Sequence, residues 1–424
     1  MTLLFSVFFV TLLIGVPIFV SLGLGSLVYT HFVAGIPDFV VLHRMAGGVD
    51  SFPLLAVPFF ILAGNLMNSA GITNRIYSFA MSAVGWLRGG LGHVNVAGSV
   101  IFAGMSGTAV ADAGGLGTIE IKAMRDHGYD DEFAVGITAA SSTLGPIIPP
   151  SLPLVIYGVM ANVSIGQLFI AGVVPGLLMA ACLMVYVAWY AHRHSIGRDQ
   201  AFRVARLVSS FISAFPALLT PAIIIGGMSF GLFTPTEAAV AACAWAMFLG
   251  AVLYRSLTWR QLYKVTMDTI ETTAAVMIIV GAASLFGWVL TTTRVTEDVA
   301  AAMLSVTTDP LMILLIINLL LLVVGCFMET IAAISILVPV LMPIILKVGI
   351  DPVQFGIIMV LNLMIGLLTP PVGMVLFVLS KVANMPFERT VRAVLPFIVP
   401  LLIVLVAITL VPQLTLWLPT VFYR

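Results

Sequence analysis

Residues 142–154 read STLGPIIPPSLPL, one glycine and four prolines inside a run otherwise apolar enough to be a membrane helix. Proline deletes a backbone donor and clashes with the preceding turn, which costs about 3 kcal/mol or more in a helix interior. Unpaired backbone is dearer still in hydrocarbon, where no water can satisfy it. The stretch therefore predicts a helix broken inside the protein. A break frees carbonyls and amides that a continuous helix consumes. Such groups persist at membrane depth only when buried in protein or lining a polar cavity.

The rest of the chain supports a membrane setting. Of 424 residues, 61% are hydrophobic and 8% charged, against roughly 25% charged in soluble domains. The 18 basic and 18 acidic residues balance, which argues against nucleic-acid binding. Cys182, Cys243 and Cys326 sit in separate apolar runs without CxxC spacing and read as small buried hydrophobes. The first apolar run has no basic residue before it and is too long for a signal peptide core, so it reads as an uncleaved span.

Runs long enough to cross a core of about 30 Å occur near 2–31, 53–70, 133–160, 167–191, 207–230, 235–254, 269–290, 355–381 and 393–420. Two more apolar regions are interrupted, 90–124 at GMSGTAVADAGG and 310–347 at CFMETIAAIS. Their legs are short, and re-entrant hairpins are the economical reading. With the N-terminus cytoplasmic, the C-terminus periplasmic and each hairpin returning to its own side, 14 Lys and Arg fall inside and 4 outside. The positive-inside rule demands that bias.

Comparison of the chain with itself at an offset of 221 residues aligns its special backbone positions. Gly104 meets Gly325, Gly128 meets Gly349, Asp130 meets Asp351, Gly145 meets Gly366, Pro149 and Pro150 meet Pro370 and Pro371, and Pro175 meets Pro396. The copies have opposite orientation in this topology. Inverted repeats with discontinuous helices are the architecture of secondary transporters, with the site at the midplane. The fold expected is an all-α polytopic membrane protein, an inverted-repeat elevator-type transporter with two re-entrant hairpins and two broken helices. Its expected parts are scaffold helices and arm (1–89), a first transport-domain repeat (90–191), linker and further scaffold (192–309), and a second transport-domain repeat (310–424). The linker's His192 and His194 offer two metal ligands and no pocket, so a basic cytoplasmic connection is the plainer reading.

The partner of the opening stretch is IGLLTPPVGM, residues 365–374. Each break follows a hairpin whose tip is rich in oxygen donors. One Na⁺ per repeat is the expectation, since a hard cation takes five or six oxygens. The first set is Ser106, Gly107 and Thr108 with Gly145 and Pro149. The second is Met328, Glu329 and Thr330 with Gly366, Thr369 and Pro370. Each serine or threonine has an alternative, back-bonding to its own helix, and Glu329 either ligates or caps the half-helix that follows. Asp112 and Glu329 are functional candidates as intramembrane carboxylates. No intramembrane arginine is placed to clamp an anion, so Ser141, Ser142, Ser151 and Asn362 are the candidate substrate contacts. Glu237, in GLFTPTEAA, reads as a helix start with Thr234 or Thr236 as cap. Asp268 and Glu271 read as first-turn acids.

Taken together, PFFILAGNLMNSAGIT, GMSGTAVADAGGLGT, LGPIIPPSLPLVIYG, LFTPTEAA and IGLLTPPVGMVLF, in that order, resemble the large, DctM-like membrane subunit of tripartite ATP-independent periplasmic (TRAP) transporters. The resemblance spans nearly the whole chain. It implies a Na⁺-driven elevator importer of small organic anions, such as dicarboxylates or sugar acids, in a bacterial or archaeal inner membrane. It also implies two partners, a small four-helix membrane subunit on a separate polypeptide and a periplasmic substrate-binding protein. Carried over by motif, the family's Na⁺ sites fall on the two tips and breaks named above. The rival readings are a related two-repeat carrier working without a binding protein, an intramembrane enzyme and a channel. No nucleophile–base pair supports the enzyme, and nothing reads as a filter.

Overall fold

The structure, a computed structural model, describes residues 1–423. Arg424, counted among the outside charges, and the side chain of Ser106 lie outside the described residues. The first half comprises α1 (Thr2–Leu13), α2 (Ile18–Phe32), α3 (Asp38–Val49), α4 (Ala56–Ser69), α5 (Ile72–Val84), α6 (Gly90–Ser106), α7 (Ala109–Gly114), α8 (Leu116–Asp126), α9 (Asp131–Ser142), α10 (Leu152–Ala161) and α11 (Ile165–Arg193). The second comprises α12 (Val204–Ser229), α13 (Pro235–Phe248), α14 (Trp259–Thr292), α15 (Val295–Val306), α16 (Pro310–Gly325), α17 (Thr330–Lys347), α18 (Pro352–Gly366), α19 (Met374–Val382), α20 (Phe387–Leu410) and α21 (Gln413–Phe422). Among the described residues the only β pairing is an isolated bridge between Arg88 and Arg198.

The 221-residue offset holds in three dimensions. It carries the start of α9 from 131 to 352, the start of α18, and places the starts of α6, α10 and α11 within one residue of those of α16, α19 and α20. Asp130 and Asp351 occupy matched N-caps. Gly128 and Gly349 turn at φ +77° and +76° just before them, and both Pro149–Pro150 and Pro370–Pro371 are cis. The halves interlock, with α13 packed along α4 and α14 along α2, α3 and α4. Thr236 donates to the Phe52 carbonyl at 3.1 Å across that seam.

Among the described residues, seven helices are long and apolar enough to cross a membrane. They include those over the expected runs 53–70, 167–191, 207–230, 235–254, 269–290 and 393–420. The seventh is α17, the second arm of the second hairpin. The first expected span needs correction. Gly15, at φ +86°, and Pro17, at the cap of α2, divide 2–31 into two helices. Gly25 of α2 lies against the Leu4 carbonyl and Phe8 of α1, so the pair is an antiparallel hairpin. The N-terminus therefore faces the same end as the α2–α3 connection. Asp268 and Glu271 are also corrected: α14 begins at Trp259, with a Thr258–Gln261 capping box, which leaves both acids beyond its first turn. Glu237 is the expected helix start, its carboxylate accepting from Thr234 N at 2.8 Å while Thr234 Oγ1 accepts from Glu237 N.

Candidate functional site

Each hairpin tip meets the break that follows it. In the first repeat, Gly107 turns at φ +62°, and a Cβ there would fall 2.5 Å from the Pro150 carbonyl oxygen. Gly145 faces the Thr108 carbonyl. Thr108 caps α7, its hydroxyl accepting from Ala111 N. In the second repeat, Gly366 lies directly on Gly325, and the Cys326 carbonyl accepts from Val372 N at 3.2 Å. Glu329 caps α17, accepting from Ile331 N at 2.8 Å and Ala332 N at 3.2 Å. The caps Thr108 and Glu329 are 221 residues apart, so the tips correspond at the strict offset. The geometry favours capping for Glu329. Met328 continues the turn through its N–H to the Val324 carbonyl. Thr369 back-bonds to the Ile365 carbonyl at 2.8 Å. Thr330 is buried, and its hydroxyl has no protein partner. Pro149 is buried in its break, whereas Pro370 is exposed in the other.

Both tips open on one cavity of about 450 Å³. One wall is Ile61, Gly64, Asn65 and Asn68 of α4 with Thr272, Ala275, Val276 and Ile279 of α14. The opposite wall holds Thr108, Val110, Ala111, Glu329 and Ile331, with Leu152 and Met374 at the starts of α10 and α19. The first turns of α10, α17 and α19 thus share one chamber. Helix N-termini carry unpaired N–H groups and positive partial charge, which favours an anion. Among the described residues, no lysine or arginine lines the chamber.

None of the four expected substrate contacts lines this cavity. Ser151 caps α10, accepting from Leu154 N at 3.2 Å, and Ser142 back-bonds to Ala139. Ser141 and Asn362, matched at the 221-residue offset, share a different task. Ser141 donates to Asn95 Oδ1 of α6 at 2.6 Å, and Asn362 donates to Asn318 Oδ1 of α16 at 2.6 Å. Each ties the first half of a broken helix to the first arm of its own hairpin. Sequence reasoning missed Asn65, Asn68 and Thr272. The first two offered a signal, amides one turn apart inside the apolar PFFILAGNLMNS.

A family model described as "Tripartite ATP-independent periplasmic transporter, DctM component" matches residues 5–414. The chain belongs to this family. It is 48% identical over 379 residues to the sialic acid TRAP transporter large permease protein SiaM of Vibrio cholerae, covering 89% of each chain. It is 38% identical over 375 residues to the 2,3-diketo-L-gulonate TRAP transporter large permease protein YiaN of Escherichia coli, covering 88% of each. In fold it resembles the Alcanivorax borkumensis YdaH transporter, with a TM-score of 0.70 at 14% identity over 92% of this chain and 97% of that one. This TRAP permease is thus a multi-pass helical membrane protein, and its relatives are transport permeases rather than enzymes.

Proposed function

We propose that this TRAP permease imports a small organic anion, a sugar acid in particular, driven by Na⁺. The carrying observation is the chamber between α4, α14 and the two hairpin tips, onto which the N-termini of α10 and α19 open while that of α17 is already capped by Glu329. A carboxylate fits the N-terminal dipoles, while Asn65, Asn68 and Thr272 offer hydrogen bonds to hydroxyls. A chamber of about 450 Å³ has room for a sugar acid. The relatives named for sialic acid and 2,3-diketo-L-gulonate support that size class.

Na⁺ would sit where each tip meets its break, ligated from 106–108 with Gly145 and Pro149, and from Met328–Thr330 with Gly366, Thr369 and Pro370. Thr330, buried without a partner, is the strongest single candidate. In this account α6–α8 and α16–α17 are re-entrant hairpins in a bacterial inner membrane. They move with the broken helices as a transport domain (90–191 and 310–424) against the scaffold (1–89 and 192–309), in the elevator manner. A small four-helix membrane subunit and a periplasmic binding protein complete the importer. The test is reconstitution of the three proteins in proteoliposomes with a panel of sugar acids and dicarboxylates. Na⁺-gradient-driven uptake that requires the binding protein is expected. Equal uptake by the permease alone would favour a carrier that works without one.

A further inference from the structure

The chamber wall made by α4 and α14 has its hydrogen-bond polarity set from behind. Asn65 of α4 donates through Nδ2 to Thr269 Oγ1 of α14 at 3.0 Å. That hydroxyl has already given its proton to the Val265 carbonyl at 2.7 Å, so towards Asn65 it can only accept. Turning the amide over would set two acceptors against each other, so the network fixes its orientation. Among the described residues nothing donates to Asn65 Oδ1. Asn65 is half-buried and lines the chamber, so its oxygen is the group left for a ligand. Thr272 lines the same wall and donates to the Asp268 carbonyl at 2.8 Å. It too is left with an acceptor. Asn68 is set the other way. Its Oδ1 accepts from the buried Thr73 hydroxyl at 3.1 Å, which leaves the Nδ2 donors for the chamber.

A plain interhelical tie would account for the Asn65–Thr269 bond, but that tie uses the amide nitrogen alone. The repeat supplies a further comparison. At the offset of 221, Asn65 and Asn68 correspond to Phe286 and Val289 of α14, both buried and apolar. A helix in this place therefore packs without amides, and the chamber is what distinguishes the first copy.

We infer that Asn65 and Thr272 determine specificity by accepting from hydroxyl groups of the anion, with Thr269 as the positioning residue that holds the Asn65 oxygen towards the chamber. The inference rests on the sugar-acid reading above, and says which residues make the choice. It also orients the substrate. The carboxylate lies across the chamber, towards the N-termini of α10 and α19, and the hydroxylated part lies against α4 and α14. A dicarboxylate has no proton to give at neutral pH, so it would leave both acceptors unpaired and set its own oxygens against them.

The test is equilibrium dialysis of ¹⁴C-labelled D-gluconate, sialic acid and adipate against the purified full-length permease with its small subunit in nanodiscs, with Na⁺ present. Adipate is a dicarboxylate of the same chain length as gluconate, and no binding protein is there to do the choosing. Wild type is expected to prefer at least one hydroxylated acid over adipate. Asn65→Leu is expected to reduce that preference about tenfold, the loss of one hydrogen bond to a ligand. Thr269→Val, which frees the amide to turn, is expected to reduce it about threefold, and Thr269→Ser, which keeps the accepting hydroxyl, to restore it. Melting curves identify folded variants, and a change in the ratio of affinities is not what a merely structural loss produces. An unchanged ratio in folded Asn65→Leu or Thr269→Val overturns the inference and leaves the sugar-acid reading standing. Wild type that binds neither hydroxylated acid better than adipate overturns both.

Discussion

Gly145 and Gly366 hold matched places in the two breaks, yet a methyl group would meet different surroundings at each. At Gly145 its nearest neighbours are the Ser142 and Thr108 carbonyl oxygens at 3.5 Å, an ordinary contact. At Gly366 it would fall 2.5 Å from the backbone of Gly325, inside the tip of the second hairpin. The first repeat places its close approach elsewhere, at Gly107 against the Pro150 carbonyl. The breaks also differ in exposure: Pro149 and Pro150 are buried, whereas Pro370, Pro371 and Val372 are exposed. A shared backbone plan therefore need not mean shared contacts. The repeat sets where helices stop, and side chains on either side decide which residue is held tightly.

Gly366→Ala gives the largest expected effect. Two backbones must separate, which costs about 1–3 kcal/mol. Uptake is expected to fall roughly tenfold or more, because a misplacement of about 1 Å at a tip would disturb the ligand geometry. Gly145→Ala is expected to melt within about 0.5 kcal/mol of wild type. Equal losses in the two variants would break the comparison.

Next comes Thr330→Val against Thr108→Val. Thr330 has no protein hydrogen bond to lose, so Val leaves stability nearly unchanged and weakens Na⁺ activation of uptake about tenfold. Thr108→Val additionally removes a helix cap, which costs about 1 kcal/mol. Thr330→Val with wild-type Na⁺ activation would remove Thr330 from the ion site.

The ties between broken helix and hairpin differ less. Asn362→Leu strands Asn318 Oδ1 in a buried position and is expected to lower stability by about 1–3 kcal/mol. Ser141→Ala strands Asn95 Oδ1 in the same way and is expected to cost a similar amount, about 1–3 kcal/mol, since in both repeats the amide nitrogen keeps its own acceptor, Thr138 Oγ1 at 2.7 Å and Thr409 Oγ1 at 3.0 Å. Chemical denaturation or melting of the purified proteins compares them, and a much larger loss in one would show that the two ties are not equivalent. Smallest for transport is Thr234→Ala, at the α13 capping box. It is expected to cost about 1 kcal/mol of stability and to leave Na⁺ dependence intact.

Much of the architecture was legible because proline and glycine report backbone directly. The offset of 221, the two breaks and the helix start at Thr234–Glu237 could all be read from residue type and spacing. The division of 2–31 was harder. Gly15 and Pro17 carry the turn, but they sit in an apolar run whose length alone suffices for one span. The site was only half legible. Thr108 and Glu329 line the chamber as polar tip residues. Ser141 and Asn362 looked like substrate contacts because a polar residue in an apolar helix needs a partner, and sequence does not say that the partner is another helix. The burial of Glu120, whose carboxyl oxygens have no protein partner, escaped notice because it shares α8 with Lys122, Arg125 and Asp126, so it resembles a solvated helix face.

The central claim is that the chamber between α4, α14 and the hairpin tips carries the substrate. In a version with Cys182, Cys243 and Cys326 replaced by serine, Ala275→Cys places a thiol on the chamber wall, and Val185→Cys places one on the exposed face of α11. Sugar-acid uptake by the reconstituted three-part system is then measured before and after maleimide labelling. The account predicts that labelling at 275 abolishes Na⁺-driven uptake and that labelling at 185 leaves it unchanged. Undiminished uptake with the thiol at 275 fully modified would contradict it.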